Sequence, residues 1–138
     1  MNRRVVVTGV GLVTPLGIGV EETWQPLCAG KSGVEEITRF DTSKFQTKIA
    51  AEVKGFKAED FMPKKDARRT ERFIAFSVAA TRMAMEDSGL VIDESNAQRV
   101  GVLTGCGLGG LSILEDTCVK LKREGPRRVS PFFIPMMI

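Results

Sequence analysis

Two short apolar runs that pass directly into glycine-rich sequence are the features that most constrain the fold of this 138-residue chain. Val5–Val7 is followed by Thr8-Gly9, and Val100–Thr104 is followed by GCGLGG. A short apolar run closed by glycine is typical of a buried strand with a tight exit, because glycine tolerates backbone angles that other residues avoid. Both runs are therefore predicted to be buried strands.

The spacing of apolar residues elsewhere predicts three helices. The first extends from about Glu21 to Ala29 and stops at the glycine that follows, with Pro26 expected to kink or shorten it. The second and longest runs from about Lys65 to Ser88, and its Ala-rich centre predicts close packing on both sides. The third runs from about Leu111 to Arg123. Residues 31–62 lack a long period and are expected to form turns and short strands.

Composition excludes several classes of protein. No run approaches the roughly 18 apolar residues of a membrane span, and the start of the chain does not resemble a secretory signal, so the cytoplasm is the expected location. The three cysteines, Cys28, Cys106 and Cys118, are odd in number and lack CxxC spacing. This argues against a disulfide framework and a zinc site, and all three are expected to be reduced and mostly buried.

The chain contains no histidine. It therefore cannot by itself build a Ser-His or Cys-His nucleophile, a histidine general base or a histidine metal ligand. If the protein is an enzyme of such a kind, the missing groups lie elsewhere.

Positive charge is concentrated in PKKDARRTER, at Pro63–Arg72. This segment holds five cations and two carboxylates, so its net charge of +3 equals that of the whole chain. A total of +3 is too weak to indicate nucleic-acid binding. Cations at the start of a helix oppose its macrodipole, at a cost of about a few tenths of a kcal/mol each. The segment is therefore predicted to bind an acidic partner, and the alternative is a solvated face with no partner.

The opening stretch VVVTGVGLVTPLG superficially resembles a dinucleotide-binding turn. Such a turn requires G-x-G-x-x-G leading straight into a helix. Gly9 and Gly11 fit, but the third position is Thr14, and Pro15 and Gly17 interrupt the helix. A nucleotide site, and with it a nucleotide-dependent oxidoreductase, is disfavoured.

Several stretches resemble, in order and along the whole chain, the N-terminal part of a β-ketoacyl-acyl-carrier-protein synthase of the synthase II type: VVVTGVGLVTPLG, GKSGV, FDTSKF, ARRTERFIAFSVAAT, EDSGL, GVLTGCGLGG and GPRRVSPFFIP. The resemblance implies an α/β fold, the layered αβαβα arrangement of thiolase-like enzymes. Residues 1–138 would be its N-terminal segment and would stop before the domain is complete. The last eight residues, PFFIPMMI, carry no polar side chain, which is expected of a chain that has been cut or that packs into a partner.

The resemblance also implies a reaction. Family members elongate fatty acyl chains: a cysteine holds the acyl group as a thioester, and malonyl-acyl-carrier protein loses CO2 and attacks it, assisted by two histidines. The family's cysteine has a T-A-C context that is absent here, as are both histidine motifs, and Cys106 lies in a different context. No catalytic residue is therefore expected within residues 1–138, and this segment alone is expected to be inactive.

Binding residues are implied by the same resemblance. Acyl carrier proteins are acidic, and six basic residues of this chain match positions of the family's docking surface for them. We call these residues the basic patch: Lys64, Lys65, Arg68, Arg69, Arg127 and Arg128.

Leu108 and Phe133 match family positions that line the acyl pocket. Four apolar residues are expected to begin a dimer core: Phe132, Ile134, Met136 and Met137. No metal and no bound cofactor is implied, because the carrier protein brings the phosphopantetheine. The intact protein is expected to be a homodimer that binds neither nucleic acid nor membrane.

Two alternatives remain open from the sequence. One is a relative that has lost the catalytic cysteine and acts as a partner subunit shaping chain length. The other is a non-catalytic domain that binds an acidic protein through its basic residues.

Overall fold

The computed structural model describes residues 3–138. The chain forms two compact units. Unit 1 contains the residues up to Lys57 together with Ala80–Val91, and unit 2 contains Ala58–Ala79 together with Ile92–Ile138. The helices and strands, in chain order, are α1 (Val20–Cys28), β1 (Val34–Glu36), β2 (Ile49–Ala51), α2 (Lys64–Ala67), α3 (Arg72–Ser88), α4 (Leu111–Glu124) and α5 (Phe133–Met137). Short 3-10 turns lie at Ala58–Asp60, Ala97–Arg99 and Pro126–Arg128.

The first and third predicted helices are confirmed as α1 and α4. Pro26 lies inside α1, which ends two residues later at Cys28. Gly30 follows with a φ of 68°, a backbone angle that glycine adopts without strain, and this terminates the helix as expected.

The long predicted helix is broken into α2 and α3, so the prediction of one continuous helix is wrong. Arg68 to Glu71 form a turn between them. The Thr70 hydroxyl donates to the Asp66 carbonyl at 2.7 Å, taking the acceptor that the Thr70 backbone N–H would use in a continuous helix. This local side-chain bond offers the backbone an alternative to the helix.

Neither apolar run forms a strand, and both predictions of a buried strand are wrong. Among residues 3–138 the ladder is the antiparallel pair β1–β2, in which Glu35 lies opposite Ala50. Val5 is 93% exposed and Leu103 99% exposed. A strand exists only where a neighbouring backbone accepts and donates its ladder hydrogen bonds, and the described part of the chain offers these runs no such neighbour.

The glycines after the first run serve close packing within unit 1. A Cβ built on Gly11 would collide with the Ala80 carbonyl oxygen and lie 2.8 Å from the Ala84 nitrogen. A Cβ on Gly9 would lie 2.7 Å from the Ser88 Cβ. The Val10 N–H between them donates to the Asp87 Oδ2 at 2.8 Å. The turn is therefore glycine-rich because backbone must approach α3 closely.

Buried side chains are few. Ala75 and Ala79 in α3 are 2% and 0% exposed, in agreement with the predicted close packing of the Ala-rich helix, and Thr23 is the buried polar residue among residues 3–138. The accessible surface is 11381 Å², whereas a folded monomer of this mass exposes about 7,100 Å². Many large apolar side chains of the kind that proteins usually cover are exposed, among them Val5, Leu103 and Leu108.

The three cysteines are free, and each is exposed, so the expectation that they are mostly buried is wrong. Cys28 is the last residue of α1, and Cys118 lies on an exposed face of α4. Within residues 3–138, no helix combines the length and apolar character needed to cross a membrane.

Candidate functional site

The first part of the basic patch lies on α2 and the turn after it, in unit 2. Lys64 and Lys65 open α2 directly after Pro63, and Arg68 and Arg69 lie in the turn that separates α2 from α3. All four side chains are exposed. The break in the predicted helix thus places the two arginines on a turn rather than on a helix face.

The second part lies on the 3-10 turn Pro126–Arg128 that follows α4. Arg127 and Arg128 are both exposed. Arg128 Nε lies 3.8 Å from a Glu124 carboxylate oxygen, and both of these side chains are more than half exposed. An exposed pair at this distance contributes little free energy and leaves Arg128 available to a partner.

The remaining cations of the basic patch are not engaged by carboxylates of the described chain. Two further ion pairs, Lys54–Glu35 and Arg82–Glu86, lie on exposed surface of unit 1 and involve no cation of the patch. Five cations of the patch are therefore available to an external anion.

A ring stacked beneath an arginine connects the two parts of the patch. The Arg69 guanidinium carbon lies 5.0 Å from the centroid of the Phe132 ring, within the range of a cation–π contact. Phe132 is four residues beyond Arg128 and is 46% exposed. The sequence predicted Phe132 only as part of an apolar layer, and no local signal couples it to a residue 63 positions earlier.

Leu108 lines a pocket of 370 Å³ in unit 2. The other lining residues are Thr104, Cys106, Gly109, Gly110, Leu114, Met137 and Ile138. Leu108 itself is 81% exposed. A second pocket of 470 Å³ shares Thr104, Cys106 and Ile138 with it and is otherwise lined largely by the first turns of α3. Both linings are predominantly apolar and suit an alkyl chain.

Phe133 lies outside both of these pockets. It is half-buried at the start of α5, where its N–H donates to the Ser130 carbonyl at 3.0 Å. Leu108 and Phe133 therefore do not share either of these two pockets, and their shared role at an acyl pocket stays a prediction.

Cys106 borders both pockets without features of an activated thiol. Its sulfur accepts the Gly109 N–H at 3.2 Å, a contact that fixes the glycine-rich turn. No imidazole can approach it from this chain, which lacks histidine.

The carboxyl groups with displaced pKa values lie outside the basic patch and line neither of these two pockets. The Ser43 backbone N–H lowers the pKa of Asp41, the Thr38 hydroxyl lowers that of Glu52, and the Ser95 hydroxyl lowers that of Asp93. In each case a hydrogen bond stabilises the ionised form of the carboxyl group. Within residues 3–138, no group of three or more cysteine, aspartate and glutamate side chains could hold a metal ion.

Comparison with known proteins identifies the family. The chain matches the family model of the β-ketoacyl synthase N-terminal domain over residues 2–138, and it belongs to that family. It is 51% identical over 137 residues to the 3-oxoacyl-[acyl-carrier-protein] synthase 2 of Vibrio cholerae, covering 99% of this chain and 33% of that protein. It is 53% identical over 134 residues to the enzyme of the same name from Coxiella burnetii, covering 97% and 32%. The chain therefore spans about a third of the length of these relatives.

Solved structures agree with this assignment. A β-ketoacyl synthase from Burkholderia phymatum superposes with a TM-score of 0.78 at 29% identity, covering 99% of this chain and 34% of that one. The ishigamide ketosynthase/chain length factor superposes with a TM-score of 0.77 at 31% identity, covering 100% and 34%. The predicted family resemblance and the thiolase-like α/β class are both confirmed.

Proposed function

We propose that the protein carrying this segment elongates fatty acyl chains by decarboxylative condensation. An enzyme thiolate takes the acyl group from acyl carrier protein, releasing the carrier thiol. Malonyl-acyl-carrier protein then loses CO2, and the carbanion attacks the thioester to give 3-oxoacyl-carrier protein and the free enzyme thiol. The observation that carries this proposal is the 51% identity to a 3-oxoacyl-[acyl-carrier-protein] synthase 2 across 99% of the chain.

Within that enzyme, residues 1–138 form an N-terminal segment that contributes binding surface, and the nucleophilic cysteine and two histidines belong to the remaining chain. The absence of histidine from this segment supports that division. So does its large exposed apolar surface, which further chain or a second copy in a homodimer would cover. We place the enzyme in the cytoplasm.

The decisive experiment assays the complete purified protein with acyl- and malonyl-loaded carrier proteins and follows CO2 and 3-oxoacyl product. The complete protein is expected to turn over, and residues 1–138 alone are expected not to. Turnover by the segment would place the chemistry in this chain, and absence of condensation by the complete protein would overturn the proposal.

A partner subunit that shapes chain length is the second candidate. It is favoured by the 31% identity to a structure named as a ketosynthase/chain length factor. This candidate predicts that the complete protein is inactive alone and changes the product length when it is added to an active synthase. The same assay therefore separates the two functions.

The basic patch is the proposed docking surface for acyl carrier protein. Its exposed and largely unpaired cations support this role, because complementary charge steers association and makes the on-rate salt-sensitive. Arg68→Glu and Arg127→Glu in the complete protein are expected to weaken carrier-protein binding and to flatten its dependence on ionic strength. Arg99→Glu is the matched control, because Arg99 is exposed in unit 2 outside the patch. Equal effects of all three substitutions would show that only net charge matters.

A further inference from the structure

We propose that Phe132 is a positioning residue for the basic patch. Its ring holds the Arg69 guanidinium so that the two parts of the patch present one docking surface. This inference rests on the docking role proposed above and names the residue that organises it.

Arg69 needs such support because its position does not restrain it. It lies in the turn between α2 and α3, its side chain is exposed, and no carboxylate of the described chain pairs with it. A long side chain on an exposed turn samples many rotamers, and ordering it on binding reduces affinity. The Phe132 ring, 5.0 Å from the guanidinium carbon, restricts that freedom before the partner arrives.

Phe132 is itself held firmly by the backbone around it. Its N–H donates to the Ser130 Oγ at 3.1 Å. Its carbonyl accepts the Met136 N–H at 3.0 Å and thereby opens α5. Just before this stretch, the Val129 N–H donates to the Pro126 carbonyl at 3.2 Å and closes the turn that carries Arg127. The ring is thus attached by a short, hydrogen-bonded stretch to the second part of the patch.

Stacking leaves the binding chemistry of Arg69 intact. A guanidinium contacts an aromatic ring through its planar face, whereas its N–H donors project from its edge. Because the Arg69 side chain is also exposed, its N–H donors are accessible to a carboxylate, which a guanidinium can bind through two parallel hydrogen bonds. A lysine ammonium lacks this separation of face and edge, which explains why an arginine suits this position.

A double-mutant cycle in the complete protein tests the inference, with the dissociation constant for purified acyl carrier protein as the readout. Phe132→Leu removes the ring and keeps apolar volume. It is expected to weaken binding about two- to fivefold when Arg69 is present, the range of an exposed cation–π contact. In the Arg69→Ala background it is expected to have no further effect. The kcat at saturating carrier protein is expected to be unchanged in Phe132→Leu.

Two controls separate positioning from folding. Phe132→Tyr keeps a ring face and is expected to bind as the unsubstituted protein does. Phe45→Leu removes a ring in unit 1 that is 57% exposed, compared with 46% for Phe132. This substitution is expected to leave the binding of acyl carrier protein unchanged.

Three results would overturn the inference. Equal weakening by Phe132→Leu in both backgrounds would mean that the ring acts independently of Arg69. No weakening in either background, or failure of Phe132→Tyr to restore binding, would exclude positioning by the ring. A different result would refute the docking proposal itself: Arg68→Glu, Arg127→Glu and Arg69→Ala would all bind acyl carrier protein as tightly as the unsubstituted protein does.

Discussion

The contact between the first glycine-rich turn and α3 gives the sharpest prediction about stability. Gly11 packs so closely on the helix that an added Cβ would collide with the Ala80 carbonyl oxygen and approach both the Ala80 carbonyl carbon and the Ala84 nitrogen to 2.8 Å. These neighbours are helix backbone and cannot rotate away as a flexible side chain would. Gly11→Ala therefore forces the turn and the helix apart.

The expected cost follows from overpacking. Inserting one carbon into a packed contact costs about 1–3 kcal/mol, and the backbone neighbours of Gly11 favour the upper end. Separation would also stretch the hydrogen bond from the Val10 N–H to Asp87, which is 2.8 Å long. Because 1.4 kcal/mol corresponds to a factor of ten, local opening at Val10 is expected to become about 5 to 150 times more frequent.

Hydrogen exchange at the Val10 amide measures this opening directly in the complete protein. Val10→Ala is the matched control, since it removes atoms from a 40% exposed side chain and adds none towards α3. After correction for intrinsic rates, the control is expected to exchange within about twofold of the unsubstituted protein. If Gly11→Ala exchanges at the rate of the control, the close approach does not constrain this turn and the reasoning fails.

Three further predictions concern other local contacts. The buried Thr23 hydroxyl bonds the Gly17 carbonyl at 3.3 Å and the Thr14 hydroxyl at 3.1 Å. Thr23→Val removes both hydrogen bonds and is expected to lower the free energy of unfolding, measured by chemical denaturation, by about 1–3 kcal/mol. Thr38→Val removes the hydroxyl that holds the Glu52 pKa down. That pKa is therefore expected to rise in an NMR titration. In the unsubstituted protein, ionised Glu52 contributes stability at pH values above its unfolded pKa, and this stability is lost as the pH falls through the lowered folded pKa. The substitution is expected to diminish this contribution. Leu108→Phe enlarges a side chain that lines the 370 Å³ pocket, and in the complete protein it is expected to shorten the longest acyl chain accepted in product analysis. An unchanged chain-length profile would contradict an acyl-binding role for Leu108.

The helices were predictable because helix signals are local. The apolar spacing of α1 and α4 and the glycine that follows α1 lie within a few residues of each other, so their limits agree with prediction to within one residue. The ends of the long helix were also located, but its break was not. The hydrogen bond from the Thr70 hydroxyl to the Asp66 carbonyl competes with the helical hydrogen bond, and the spacing of apolar residues carries no information about such a bond.

Strands and burial were not predictable for the opposite reason. Val5–Val7 has every local property of a buried strand, yet a strand also requires a paired neighbour, and the chain distant in sequence decides whether one is present. The same holds for the cysteines. Their residue type favours burial, but each lies on a surface that tertiary packing leaves open.

The sequence by itself determined the family, helices α1 and α4, the lack of histidine and the identity of the six cations, because each of these is a property of residue types and of their order. Only the tertiary structure decided that the Phe132 ring lies against the Arg69 guanidinium. Arg69 and Phe132 are far apart along the chain and meet because the turn after α2 and the start of α5 fold against each other within unit 2. A contact of that kind depends on the path of the intervening chain, which no local pattern encodes.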